Sequence, residues 1–534
     1  MFSLGKRGIS MVLVALLLVS LLAGFAVAEA PAATAVAEPG WKLDTTPITI
    51  NWYVNYSWYV STWDTALYSQ YMERKTGVKI NFIVPAGNES EKLNTMIAGN
   101  TLPDMITLET TDPAYKQMVA AGLLYSVNDL ADQYDPYFYD VTESQTLNWF
   151  ASDDGKTYGY PNASITPSMF DKINTVNYQT FQVKKDYWEA LGEPKMDTPE
   201  NFLAALQAAK EMYATVDGQP LIPIGFHDFT ETGNLSFDDY LLNYLGVPME
   251  LGGKLYDRRE DAGYLTWLKT FRKAYELGLL SDDIFIDQRQ QVEEKIAQNR
   301  YFALLFQNCD FVAEQQVLYE KDPESIFYAI QGPSAGNAPV MPGQSINGWT
   351  MTCVTKNAKD PARCIRFMSY WISPEGTRDC TFGEEGVTLQ LDADGNPSLT
   401  PEYQQMYEQN ATQYYEVTGA DPLWMLANPL MANLWAPKPA PYLTQMYDWA
   451  DPYIVSFAQY ENIDPPTDSD EAQINADVKL LWGATLPALL RAASEEEFDA
   501  TFQNYVTQRD ALGYAQLLAY RQERLESNKA KLFK

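Results

Sequence analysis

KTGVKINFIVPAGNESEKLNTMIAGNTLPDMITLETTD, residues 75–112, decides the fold. Val78 to Val84 alternates and is β-branched, the pattern of a strand. Asn88 and Glu91 resemble a capping box with Asn in the Ser/Thr place. Leu93, Met96 and Ile97 then share one helical face, and Gly99 closes the helix. Pro103 breaks the chain before a second strand at Met105 to Leu108. This is a βαβ unit, expected to be right-handed and to build a parallel sheet. Ligands of open parallel sheets sit outside the carboxyl ends of the strands. Here that edge holds Glu109, Thr110, Thr111 and Asp112.

Upstream, Ile48 to Val54 alternates Ile with aromatic residues and reads as another strand. If it runs parallel to the other two, Asn55, Tyr56, Ser57, Trp58 and Tyr59 join the same edge. Downstream, Leu221 to Gly225 is a short strand that ends in Phe226-His227-Asp228. Tyr301 to Phe306 is another, running into Gln307-Asn308-Cys309-Asp310. Helices are expected from Pro199, capped by Asp197 or Thr198, over Leu265 to Leu279, and from Ser494, whose capping box includes Glu497.

The chain has 534 residues, too many for one compact core, so two or more domains are expected. Hydrophobic content is 46% and charged content 20%, a globular composition. The formal net charge of −32 repels phosphate backbones and anionic lipid, which argues against a nucleic-acid role. Lys6 and Arg7, the apolar run Met11 to Leu22 and Ala26-Val27-Ala28 mark residues 1–28 as a signal peptide. Ala30 to Pro39 is Ala/Pro-rich, and residues 29–47 read as a linker.

A single histidine excludes multi-histidine metal sites. The four cysteines form no C-x-x-C pair, and their spacing assigns no disulfide. No Walker A loop, H-E-x-x-H or G-x-S-x-G is present. Asp392-Ala393-Asp394-Gly395-Asn396 has its glycine at the wrong position for a calcium loop and reads as a hairpin turn. No cofactor or metal is expected, and no catalysis.

The segments KTGVKINF, LNTMIAGNTLPDMI and AAGLLYSVNDL resemble the first lobe of extracellular solute-binding proteins, the capture subunits of ABC importers. DPARCIRFMSYWISPEGTRDCTFGEEGV, residues 360–387, is the most specific match. DGKTYGYP, VKKDYWEALG, DTPENFLAALQAAKEMY and EFDATFQNYVTQRDALG add to it, over roughly Ile48 to Glu526. The likeness is to the long, lipoprotein-type, carbohydrate-binding branch. It implies an α/β fold of two doubly wound lobes joined by hinge crossings, with a ligand cleft between them. Lobe one would comprise 48–162 and 335–385, and lobe two 163–334 and 386–534. It also implies a monomer whose lobes close on a sugar and deliver it to importer membrane subunits. Cysteine first appears at position 309, so the lipid anchor usual in that family lacks its attachment residue, and an exported protein is expected. A secreted glycoside hydrolase, or the same fold binding a peptide or another polar solute, remains open at this point.

Aromatic residues make up 13% of the chain. Sugar rings stack their C–H faces on flat aromatic rings, and their hydroxyls pair with carboxylates and amides. The expected ligand-binding set is therefore Asn55, Trp58, Tyr59, Glu109, Asp112, His227, Asp228, Asn308, Asp310, Trp349, Glu384, Trp424 and Trp435.

Overall fold

The computed structural model describes residues 38–533 apart from 58, 60–62, 87–88, 174–176, 178, 421–423, 437–438 and 467–468. The expected signal peptide, Asn88 and Trp58 therefore lie outside the described residues. All elements below belong to one unit, Pro39–Lys534.

Two open sheets organise the chain. The first comprises β1 (Ile48–Val54), β2 (Val78–Ile83), β3 (Met105–Glu109), β4 (Tyr160–Pro161) and β9 (Thr350–Val354), in the order β2-β1-β3-β9-β4. The strands β2 and β3 flank β1, and both run parallel to it. The last strand, β9, is antiparallel to β3 and to β4, so the sheet is mixed rather than wholly parallel. Between β2 and β3 lies the expected helix, Glu89–Gly99.

Side chains alternate across this sheet, as a pleated strand requires. Trp52 and Val54 face one core with Ile80, Ile365 and Met368. Tyr53 and Ile106 face the other with Leu93 and Met118. Both faces are thus covered by helices, which is why β1 and β3 are near-continuous apolar runs. Trp52 stays satisfied in the core because its Nε1 donates to Thr107 Oγ1 at 2.8 Å.

The second sheet comprises β5 (Phe181–Lys184), β6 (Ile222–Phe226), β7 (Tyr301–Leu305) and β8 (Phe327–Ala329), in the order β8-β5-β7-β6. The pair β6 and β7 is parallel, whereas β5 runs against β7 and β8. Each sheet therefore has one reversed strand, and each reversed strand is the first one after a crossing between the sheets.

The crossings run through 162–180 and 330–349. They lie side by side, with Ile165 N donating to Ser345 O and Ser164 Oγ to Ile346 O. Met341–Pro342 pairs in turn with Ile454–Val455. At one crossing Gly348 has φ +63°, and a Cβ there would lie 2.3 Å from Asn162 O. Glycine is what lets the two crossings touch at that point.

The 389–399 stretch is a hairpin, with Leu389–Leu391 paired to Pro397–Leu399 around the Asp392 turn, as expected. Thr198 caps the helix Pro199–Met212, and Ser494 caps Glu495–Ala511. One packing relation differs from the sequence reading. Leu399, Tyr403, Tyr407, Tyr414, Met425 and Leu426 pack in the core of the first sheet, although 386–534 was expected to belong with the second. The last helices do pack on the second sheet's core, through Trp482, Leu486, Phe498 and Tyr505.

Candidate functional site

The strand order brings Tyr56 and Tyr59, just past β1, to the edge that also holds Glu109 at the end of β3. Trp349 joins them because β9 is antiparallel to β3: Thr350 pairs with Glu109, and Thr110 N donates to Trp349 O at 3.0 Å. Trp424 arrives from far along the chain. Its carbonyl accepts from Asn162 Nδ2 and Thr350 Oγ1, and Thr352 Oγ1 donates to the carbonyl of the buried Met425. These bonds fix the indole against its neighbours. Trp424 lies 5.3 Å from Trp349, 5.4 Å from Tyr56 and 5.5 Å from Tyr59, centroid to centroid. Trp349 is 40% exposed and Trp424 is half-buried, whereas Tyr56 and Tyr59 are buried beneath them, so the open face of this shelf is that of the two indoles.

The shelf is acidic at its back. Burial first, then the charges of Glu109 and Asp112, push the Tyr56 hydroxyl well above the ordinary tyrosine range. Asp112 also acts locally, since its Oδ1 caps the helix Pro113–Ala120 by accepting from Ala114 N at 2.9 Å. Asn55 donates to Asp112 Oδ2 at 3.4 Å and accepts from Tyr53 OH at 3.0 Å. Asn55 and Asp112 thus brace the rim, with part of their hydrogen-bonding capacity already taken.

Beside the shelf opens a cavity of about 660 Å³, in the range of small-molecule sites. Trp424 forms part of its wall, with Asn162, Phe382, Tyr407, Tyr415 and Trp435. Trp435 stands on Phe382 at 5.6 Å. The helices Pro401–Gln409 and Ala411–Thr418 supply the tyrosines; Asn410 ends the first and caps the second by accepting from Gln413 N. Tyr414 is pinned behind the wall by a 3.0 Å hydroxyl contact with Tyr68.

A second polar group gathers past β6 and β7. His227 Nδ1 lies 2.5 Å from Asp228 Oδ1, and its Nε2 lies 3.5 Å from Asp310 Oδ2. The imidazole stacks on Phe306 at 5.0 Å. Arg289 reaches Asp310 Oδ1 at 3.0 Å. Burial pushes the Asp310 carboxyl up, but His227 and Arg289 outweigh it and hold the group below the ordinary carboxylate value. Asn308 is fully buried, and neither side-chain polar atom has a hydrogen-bond partner. An unpaired amide of that kind costs about 1–3 kcal/mol, which makes it a position to watch for bound solvent or ligand.

The expected residues thus divide. Tyr59, Glu109, Trp349 and Trp424 come together, with Asn55 and Asp112 bracing them and Trp435 on the adjoining wall. His227, Asp228, Asn308 and Asp310 form their own group. Glu384 sits elsewhere: it pairs with Arg74, and its carbonyl accepts from Val387, Thr388 and Leu389 in the following turn. Its observed contacts are those of a structural tie.

Tyr56, placed on the edge by the sequence but not in the expected set, joins the cluster, and Asn162, Phe382, Gln404, Tyr407 and Tyr415 line the cavity without having been expected. The signal for part of the wall was present in YQQMYEQNATQYY, residues 403–415, which mixes aromatics with amides as a sugar surface does. Among the described residues, no group of three or more His, Cys, Asp or Glu is placed to hold a metal ion. All four cysteines are unpaired. Burial, then Asp310, pushes the Cys309 thiol up to about 11, so it is protonated at neutral pH and a poor nucleophile. No helix among the described residues is long and apolar enough to cross a membrane.

Comparison with known proteins supplies an independent line. Residues 66–382 match the family described as bacterial extracellular solute-binding protein. A fructooligosaccharide ABC transporter substrate-binding protein, FusA of Streptococcus pneumoniae, is 25% identical over 227 residues, or 40% of this chain and 41% of FusA. The matched stretch therefore spans less than half of that relative. Over the whole fold, the solved structure of S. pneumoniae FusA in complex with kestose aligns with a TM-score of 0.61 at 16% identity, covering 90% of this chain and 100% of that one. An extracellular solute-binding protein from Bifidobacterium longum subsp. infantis aligns with a TM-score of 0.64 at 12% identity, covering 90% and 98%. At such identities these likenesses show the fold: a periplasmic-binding-protein-like α/β architecture with two open sheets.

Proposed function

The chain belongs to the bacterial extracellular solute-binding protein family, and we propose that this member is a carbohydrate receptor of an ABC importer. It captures an oligosaccharide outside the cytoplasm, closes over it, and delivers it unchanged to membrane subunits. The observation that carries this reading is the shelf of Trp349 and Trp424, backed by the buried rings of Tyr56 and Tyr59, beside a cavity walled by further aromatics and amides. Flat rings receive the apolar faces of sugars, and amides and hydroxyls pair with the sugar's rim of hydroxyls. The relative FusA is named for a fructooligosaccharide, which supports the same ligand class.

In this reading the polar group of His227, Asp228, Asn308 and Asp310 is the second jaw, and the crossings at 162–180 and 330–349 are the hinge. Closure of two lobes about such strands is a known mode of solute capture. The protein works as a monomer and performs no covalent chemistry.

A melting scan of the mature protein against an oligosaccharide panel, with short peptides as controls, tests this. A ligand at about 100 times its dissociation constant stabilises the native state by about 2.7 kcal/mol, a shift of a few degrees or less for a chain of this size. A shift with one sugar class and full recovery of that sugar is the expected result. Consumption of the sugar would make the protein a hydrolase. A shift with peptides alone would keep the fold and remove the carbohydrate assignment.

A further inference from the structure

The proposed carbohydrate reading leaves open which glycans fit, and the cavity wall narrows that choice. None of its described lining residues carries a charge at neutral pH. Its polar atoms come from the amides of Asn162, Gln344, Gln404 and Asn433 and from hydroxyls such as those of Thr381 and Tyr415. We propose that the ligand is an uncharged oligosaccharide, and that the site discriminates against uronate-bearing glycans. This inference rests on the carbohydrate reading of the same site.

Three features argue for it. First, an ionised carboxylate brought out of water needs a counter-charge, and without one it costs several kcal/mol. The described wall offers neither guanidinium nor ammonium. Second, the carboxylates at the shelf are of the wrong sign for an anion: Glu109 is paired in register with Thr350 beside Trp349, and it and Asp112 bear on Tyr56. The whole chain adds to that field with its net charge of −32. Third, the cation of the second polar group is already committed, because Arg289 pairs with both Glu293 and Asp310. A cationic amino sugar fares no better inside, since no carboxylate lines the described wall to receive it. Amides and hydroxyls, in contrast, carry no charge to desolvate: with Asn162 Nδ2 donating to Trp424 O and Gln404 Nε2 to Glu408, their amide oxygens still serve as acceptors for neutral sugar hydroxyls.

The volume agrees in scale. A cavity of about 660 Å³ exceeds what one hexose fills and is continuous at Trp424 with the shelf. A short oligosaccharide can therefore stack on the shelf and extend into the cavity.

The test uses calorimetric titration of the mature protein with neutral oligosaccharides of varied linkage, each beside its counterpart oxidised at the primary hydroxyls to uronates. The expected result is saturable binding of at least one neutral glycan, with its oxidised counterpart bound at least 10-fold more weakly. The Gln404→Lys/Glu408→Gln variant, which places a cation at the exposed edge of the wall and removes the carboxylate that Gln404 now donates to, is expected to narrow that ratio. Equal or tighter binding of the oxidised form by the wild-type protein overturns the inference and leaves the carbohydrate reading standing. Binding of no glycan of either kind removes the carbohydrate reading and this inference with it.

Discussion

Trp349 and Trp424 are 75 positions apart in the chain, yet their rings lie 5.3 Å apart with planes inclined by 36°. One is held by its place beside β9, the other by hydrogen bonds to its own carbonyl. Packed ring against ring, the pair presents one continuous aromatic surface, and contact between the rings reduces the ordering that binding would otherwise require.

The two rings should therefore respond differently to truncation. Trp349 is 40% exposed, so Trp349→Ala should cost about 1 kcal/mol of stability or less and weaken glycan binding about 10-fold. Trp424 supports Tyr56 and Tyr59 as well, so Trp424→Ala should cost about 2–3 kcal/mol and also weaken binding. Urea unfolding read beside calorimetric titration separates the two effects.

Gly348 offers a test of the crossing. Its φ is +63°, and the Asn162 carbonyl lies 2.3 Å from where a Cβ would sit, so there is no room for a side chain. Gly348→Ala should destabilise by several kcal/mol, whereas Gly122→Ala, at φ +67° with open space around it, should cost only about 1–2 kcal/mol for the left-handed backbone. Equal losses in urea melts would show that the contact at Asn162 carries no weight.

Asp310 gives the second polar group a pH signature. Its folded pKa lies below the ordinary 3.8, so in acid the unfolded chain binds the proton first. The stabilisation is present above about pH 4 and is lost as pH falls through the lower folded value. Asp310→Asn should therefore flatten the acid limb of a stability-against-pH curve. An acid limb as steep as that of the wild type would contradict this.

In the helix Pro374–Phe382, Asp379 is wholly buried and is held by Lys75, by Arg378 at 3.0 Å and by Tyr370 OH at 2.7 Å. Lys75→Met removes a charged hydrogen bond but leaves Arg378 and Tyr370 on the carboxylate, so it should cost about 1.5–3 kcal/mol. Adding Asp379→Leu should restore part of it. Thermal melts of the single and double variants check this.

The layout of the first sheet was legible because strand and helix periods alternate cleanly between residues 48 and 109. That periodicity also located the carboxyl edge, and with it Glu109 and Tyr59, while the short apolar strands before His227 and Asn308 located the second group. The cavity wall was harder to read. Tyr407 and Tyr415 lie on short helices whose partner core is set by tertiary packing, and nothing local says that they return to the first sheet. Trp424 could be nominated as a ring, but the bonds from Asn162 and Thr350 that aim it join residues more than 70 positions apart. Glu384 lies in the run Gly383-Glu384-Glu385-Gly386. In the fold those glycines serve a turn, and the carboxylate ties that turn to Arg74.

The most direct test is a titration of the oligosaccharide class picked out by the melting panel against the wild-type protein and a Trp349→Ala/Trp424→Ala double variant. Sugar recovery is assayed at the end of each run. The account predicts saturable binding by the wild type, sugar recovered intact, and affinity reduced at least 10-fold in a double variant that remains folded. Undiminished affinity in that folded variant, or cleaved sugar, would contradict it.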